Sequence, residues 1–118
     1  MNKKELENRL IDFSVKVIEI TDNLAKNRKT SNLIDQVLRS ASASALNYGE
    51  AQSAESKKDF IHKISIIMKE LRETQVNLAM LSRLIPEGSS DEWKQIMREN
   101  DELLAIFHKT IQTARKNS

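Results

Sequence analysis

Apolar residues recur in alternating steps of 4 and 3 along most of this 118-residue chain, and that period leaves few folds open. Leu6, Leu10, Phe13, Val17, Ile20 and Leu24 make the first such seam, with Ile11 and Ile18 beside it to widen the stripe. A repeat of this kind keeps its apolar side chains on one side of an α-helix, the arrangement by which helices pack along a common seam. A helix from Lys3 to about Lys26 is predicted, followed by the polar connection Asn27–Thr30. The pattern returns in Phe60, Ile64, Ile67, Leu71, Thr74, Leu78, Leu81 and Ile85, and again in Trp93, Ile96, Met97, Leu103, Leu104, Phe107 and Ile111.

A further helix is predicted from Ser31 or Asn32, with Ile34, Val37, Leu38, Ala41, Ala45 and Tyr48 facing inward. The Ser-Ala alternation from Ser40 to Ala45 has the period of a strand. Serine and alanine are poor strand formers, however, and the apolar residues on either side keep helical spacing. Gly49 marks a frayed end or a close approach of another backbone. Ser56-Lys57-Lys58-Asp59 and Ser89-Ser90-Asp91-Glu92 have the form of capping boxes, in which a serine oxygen accepts from an orphan amide of the first turn. They start the third and fourth helices, and Pro86-Glu87-Gly88 ends the third near Leu84. Short connections between such helices imply an all-α fold, an antiparallel up-down-up-down four-helix bundle, as a single domain over residues 1–118.

Composition narrows the function classes. Without cysteine there is no disulfide, thiolate metal site or thiol catalysis, which is compatible with a reducing cytoplasm. The N-terminus, Met1-Asn2-Lys3-Lys4-Glu5-Leu6-Glu7, lacks the apolar run of a secretion signal. No segment approaches the roughly 20 apolar residues that span a bilayer. A soluble, cytoplasmic protein is expected. A net charge of +2 does not by itself point to nucleic acid.

The residues offer little catalytic chemistry. A nucleophilic Ser40, Ser42 or Ser44 would need a base and an orienting group, and the only histidines are His62 and His108. A di-metal bundle needs two Glu-x-x-His pairs. The chain has Asp59-x-x-His62 and no second pair, and Asp59 is accounted for as the capping partner of Ser56. There is no Gly-rich phosphate loop and no zinc-protease motif. A protein that is not an enzyme and carries no cofactor is expected.

Three elements carry a family resemblance. The first is the small-residue run Arg39-Ser40-Ala41-Ser42-Ala43-Ser44, continued by Asn47 and Glu50. The second is Asp59-Phe60-x-x-Lys63, and the third is Lys69-Glu70-x-x-Glu73-Thr74. In these the chain resembles the four helix bundle protein family, also called the ribosomal RNA intervening-sequence protein family. The resemblance implies a homopentameric ring of bundles and a non-enzymatic scaffold or adaptor role. It also implies an alternative, because a related group serves as basic accessory subunits that bind nucleic acid beside reverse transcriptases.

Candidate sites follow from both readings. Ile66 and Met80 lie fourteen residues apart on one face of the third helix, with Val76 near it and away from the core seam, a candidate interface between copies. Asn47, Glu50, Glu70 and Glu73 are expected to make polar contacts with another helix or subunit. For RNA or DNA phosphates the candidates are Lys57, Lys58, Arg115 and Lys116, at helix ends and without aromatic residues for base stacking. A protein partner other than a second copy is the remaining possibility; a membrane is not expected.

Overall fold

In the computed structural model, which describes residues 1–117, four α-helices account for most of the chain. They are α1 (Lys3–Asp22), α2 (Ser31–Ala51), α3 (Lys57–Leu84) and α4 (Asp91–Lys116), with a 3₁₀ turn at Pro86–Ser89. Three of the four α-helix starts are set by short polar side chains, the exception being α2, where Thr30 makes no such cap. Asn2, Ser56 and Ser90 each accept a hydrogen bond from a first-turn amide, at Glu5, Asp59 and Trp93. Such a cap contributes about 1 kcal/mol. Asp59 turns back in the manner of a capping box, but it accepts from the Glu55 amide, one residue before the cap, at 3.2 Å.

Two boundaries differ from expectation. The cap of α4 is Ser90 rather than Ser89, because Pro86–Ser89 is taken up in the 3₁₀ turn. Helix α1 ends at Asp22, four residues before Lys26, where a side-chain turn competes with the helix. Asn27 Oδ1 accepts from the Lys29 and Thr30 amides, and the buried Thr30 hydroxyl donates to the Ala25 carbonyl.

Cross-helix bonds give the directions. Ser14 Oγ donates to the Ala41 carbonyl, Ser40 and Thr74 hydroxyls lie 2.7 Å apart, Trp93 Nε1 donates to the Leu78 carbonyl, and Arg9 pairs with Glu99. With the Asn100 bond to the Leu71 carbonyl, the Trp93 bond runs α4 antiparallel to α3; Ser14–Ala41 with Lys26–Asp35 does the same for α1 and α2, and the short connection at residues 52–56 turns α3 back along α2. Each helix packs on two neighbours, α1 on α2 and α4, and α3 on α2 and α4. The result is an elongated bundle with extents of 47 × 23 × 20 Å. The predicted seams form its core: Leu10, Val17, Val37, Ile64, Ile67, Leu71, Leu78, Leu81, Trp93, Leu103 and Phe107 are fully enclosed. Tyr48 and Phe107 meet edge-to-face across it at 5.6 Å.

Ile11 and Ile18 do not widen that core. They are 44% and 46% exposed, on the outer side of α1. The buried flank beside α2 is occupied by Ser14 and Thr21, whose hydroxyls are satisfied by backbone carbonyls. Gly49 lies within α2 and meets no backbone; a Cβ there would find only Glu7 Oε2, at 3.9 Å. The close approach belongs to Gly88, where a Cβ would sit 1.9 Å from the Ser82 carbonyl oxygen.

Candidate interaction surfaces

The Ser-Ala stretch of α2 is a packing surface. Ser40, Ala41 and Ser44 are buried, and their small side chains let α1 and α3 approach. Their hydroxyls are engaged. Ser44 donates to the Ala41 carbonyl, Ser42 to the Leu38 carbonyl, and Ser40 pairs with Thr74. No histidine is their partner, since His62 and His108 stand exposed on α3 and α4. Among the described residues no group of three or more His, Asp or Glu side chains is placed to hold a metal ion.

The motifs quoted from α2 and α3 meet. Arg39 reaches across to Glu70 at 2.9 Å and also pairs with Glu73, next to the Ser40–Thr74 contact. Its guanidinium pKa is raised, first by the hydrogen bond to Glu70. Glu70 is the more enclosed carboxylate, its side chain 13% exposed against 39% for Glu73. These glutamates therefore join α2 to α3 within one chain. Asn47 hydrogen-bonds to the Ala43 carbonyl of its own helix, and Glu50 is exposed. On the far side of the bundle Arg9 holds Glu99 through two bonds of 2.7 Å and touches Glu102. The Arg9 hydrogen bond is the main cause of Glu99's lowered pKa.

The clasp divides the candidate interface on α3. Val76 and Met80 are 50% and 41% exposed, while Ile66 is only partly so. Glu70 and Glu73 lie between Ile66 and that pair in sequence, turned toward α2 by Arg39. Leu84 extends the outer apolar line one turn further, at 45% exposure. Beside it an open groove between α2 and α3 is lined by Gln36, Arg39, Asn77 and Met80. Asn77 is 4% exposed, and its side chain makes no hydrogen bond among the described residues.

A second apolar line, unforeseen as an interface, runs along α1 through Ile11, Val15 and Ile18, all 44–46% exposed. Its signal was in the sequence: these residues follow a 4, 3 step offset from the Leu10–Phe13–Val17 seam. Asn100 was also missed. It occupies a core position in α4, with Nδ2 on the Leu71 carbonyl and Oδ1 buried without a protein partner.

The basic candidates are brought to one end. Antiparallel packing puts the starts of α1 and α3 beside the end of α4. A shallow cavity there is lined by Met1, Phe60, Lys109 and Thr113. Lys57, Lys58, Arg115 and Lys116 are all exposed at this end, together with Lys3 and Lys4. None of the described helices is long and apolar enough to cross a membrane.

These features define an all-α, four-helix protein whose polar signature residues tie α2 to α3. The chain belongs to the 23S rRNA-intervening sequence protein family, which matches it over residues 3–109. Its fold is also that of a crystal structure of a protein with unknown function from the S23 ribosomal protein family of Bacteroides thetaiotaomicron VPI-5482. The two share a TM-score of 0.83 and 26% sequence identity, over 95% of this chain and 99% of that one. Comparison with curated proteins finds no match.

Proposed function

We propose that this protein is a non-enzymatic scaffold that works as an assembly of its own copies, the homopentamer that its family resemblance implies. The observation that carries this reading is the pair of outward apolar lines, Ile11–Val15–Ile18 and Val76–Met80–Leu84. Both lie on helices whose opposite faces already fill the core. Exposed apolar faces beyond scattered single residues mark interaction surfaces. The satisfied serine hydroxyls and dispersed histidines support a role in binding rather than catalysis. Light scattering at micromolar concentration is expected to return a species about five times the 13.5 kDa chain. A 13.5 kDa species would refute the reading.

A second reading, contact with RNA or DNA phosphates, is favoured by the basic end of the bundle. Lys57, Lys58, Arg115 and Lys116 would act there as phosphate contacts, repeated by each copy of an assembly. Binding of mixed-sequence RNA or duplex DNA is then expected at low salt, falling steeply as salt rises. Lys57→Ala with Lys58→Ala should weaken it evenly across sequences and flatten the salt slope. No binding at low salt by an intact oligomer would remove this reading.

A further inference from the structure

The four helices do not stop at one level at the basic end. Asn100 meets the Leu71 carbonyl, so Lys57, where α3 starts, comes roughly level with Ala114 of α4. Arg9 meets Glu99 and Glu102, which sets Lys3, where α1 starts, roughly level with residues 105–108 of α4. Ser40 meets Thr74, which sets Ala51, where α2 ends, level with Lys63 of α3. About six residues of α3 and about eight of α4 therefore run on past α1 and α2, roughly 9 and 12 Å at 1.5 Å per residue. No helix of the described chain lies over this pair beyond the start of α1.

The projecting pair has an apolar floor and a basic rim. Ile106, Thr110 and Ala114 follow one another at steps of four on α4, and with Phe60 of α3 they line the shallow cavity there. All four are partly buried, and the Thr110 hydroxyl is already engaged by the Ile106 carbonyl. Residues 57–63 and 106–117 carry six cationic side chains, Lys57, Lys58, Lys63, Lys109, Arg115 and Lys116, against one carboxylate, Asp59. Asp59 is taken up by Lys63 and the Glu55 amide. Lys57, Lys58, Lys109 and Lys116 form no ion pair within the chain, among the described residues. Over the whole end, Lys3 and Lys4 bring the cations to eight, and Glu5, Glu7, Glu50 and Glu55 bring the carboxylates to five, so it stays basic.

Phosphates alone would use the rim and leave the apolar floor uncovered. A stacked base would find a single aromatic ring, Phe60, among aliphatic groups. A helix with one apolar and one acidic face would meet both the floor and the rim. We infer that this projection docks an acidic amphipathic helix of another protein. It lies against α3 and α4 beyond the start of α1, with an aliphatic side chain in the cavity and carboxylates on the lysines. The inference gives the scaffold reading a partner class and uses neither outward apolar line. A chain that proved monomeric would refute self-assembly and leave this docking site standing.

A synthetic helical peptide of glutamate and leucine, with leucine at steps of 4 and 3, is the probe. It is titrated into the full chain by fluorescence anisotropy, beside a lysine–leucine counterpart and a mixed-sequence single-stranded RNA. The wild type is expected to bind the acidic peptide and not the basic one. Ala114→Gln lays a neutral polar side chain across the floor and alters no charge. It should weaken peptide binding roughly tenfold and leave any RNA binding unchanged. Thr110→Gln gives the same test should Ala114→Gln lose helix content by circular dichroism. No binding of the acidic peptide, or equal binding by the wild type and the glutamine variant, would overturn the inference. RNA binding without peptide binding would assign this end to phosphates instead. Sedimentation at saturating peptide should show the wild-type assembly state unchanged; dissociation of an oligomer by the peptide would show that a second copy fills the site, and would also overturn it.

Discussion

Helix α4 completes its burial within the chain, and helices α1 and α3 do not. Trp93, Ile96, Leu103, Leu104, Phe107 and Ile111 all turn inward, and no large apolar residue of α4 stands exposed among the described residues. By contrast α1 and α3 bury equally complete seams and then carry three further apolar residues each on the outside. The bundle core does not account for those residues, since they stand 41–50% exposed outside it. The self-assembly proposal rests on this difference: α4 spends its large apolar residues on the fold of one chain, whereas α1 and α3 keep a second apolar face outside it.

The contrast can be broken most sharply by truncation on each side. Phe107→Ala, at a fully enclosed position of α4, is expected to cost about 3–5 kcal/mol of unfolding free energy. Met80→Ala, measured by urea unfolding at concentrations low enough to separate the copies, should change it by less than about 1 kcal/mol. Equal costs would show that Met80 belongs to the core.

The glycines give a smaller version of the test. Gly88→Ala forces a Cβ against the Ser82 backbone, and a loss of about 1–3 kcal/mol is expected. Gly49→Ala has open space and a helical backbone, so a gain of roughly 0.5–1 kcal/mol in the separated chain is expected. Thermal melts of both variants read the sign directly.

The polar ties are weaker still. Arg39→Ala leaves Glu70 without its partner, but the arginine side chain is 55% exposed, so about 1 kcal/mol or less is expected. Glu99 supplies a pH readout on the α1–α4 side. Its folded pKa lies below the ordinary carboxylate value because Arg9 stabilises the ionised form. Its contribution is therefore present above the unfolded-state pKa and is lost as pH falls through the lowered folded one. Glu99→Gln should lower the melting temperature near neutral pH and flatten the acid loss. A parallel downward shift at every pH would contradict this.

The seams were legible because each requires only local spacing. Leu6 to Leu24, Ile64 to Leu81 and Trp93 to Ile111 announce their buried faces without reference to any other helix. What those steps leave open is how far a neighbour covers the flank. Ile11 and Ile18 looked like extra core, yet α2 packs on Ser14 and Thr21 and leaves both isoleucines outside. The Arg39–Glu70–Glu73 tie was legible only as two separate motifs. Joining them needs the register of α2 against α3, which residues 31 and 34 positions apart cannot set locally. The basic end needed the bundle topology, since Lys57 and Arg115 are remote in sequence. Of the three interface candidates, Val76 and Met80 stand outside as expected, and Ile66 is partly covered.

The most direct measurement of the contrast is residue-level hydroxyl-radical footprinting across a concentration series. As the protein is concentrated from nanomolar to tens of micromolar, Ile18 and Met80 should lose reactivity together. His108, exposed on α4, should react at a constant rate throughout. Constant reactivity of Ile18 and Met80 while the mass rises, or equal protection of His108, would contradict the division between α4 and its neighbours.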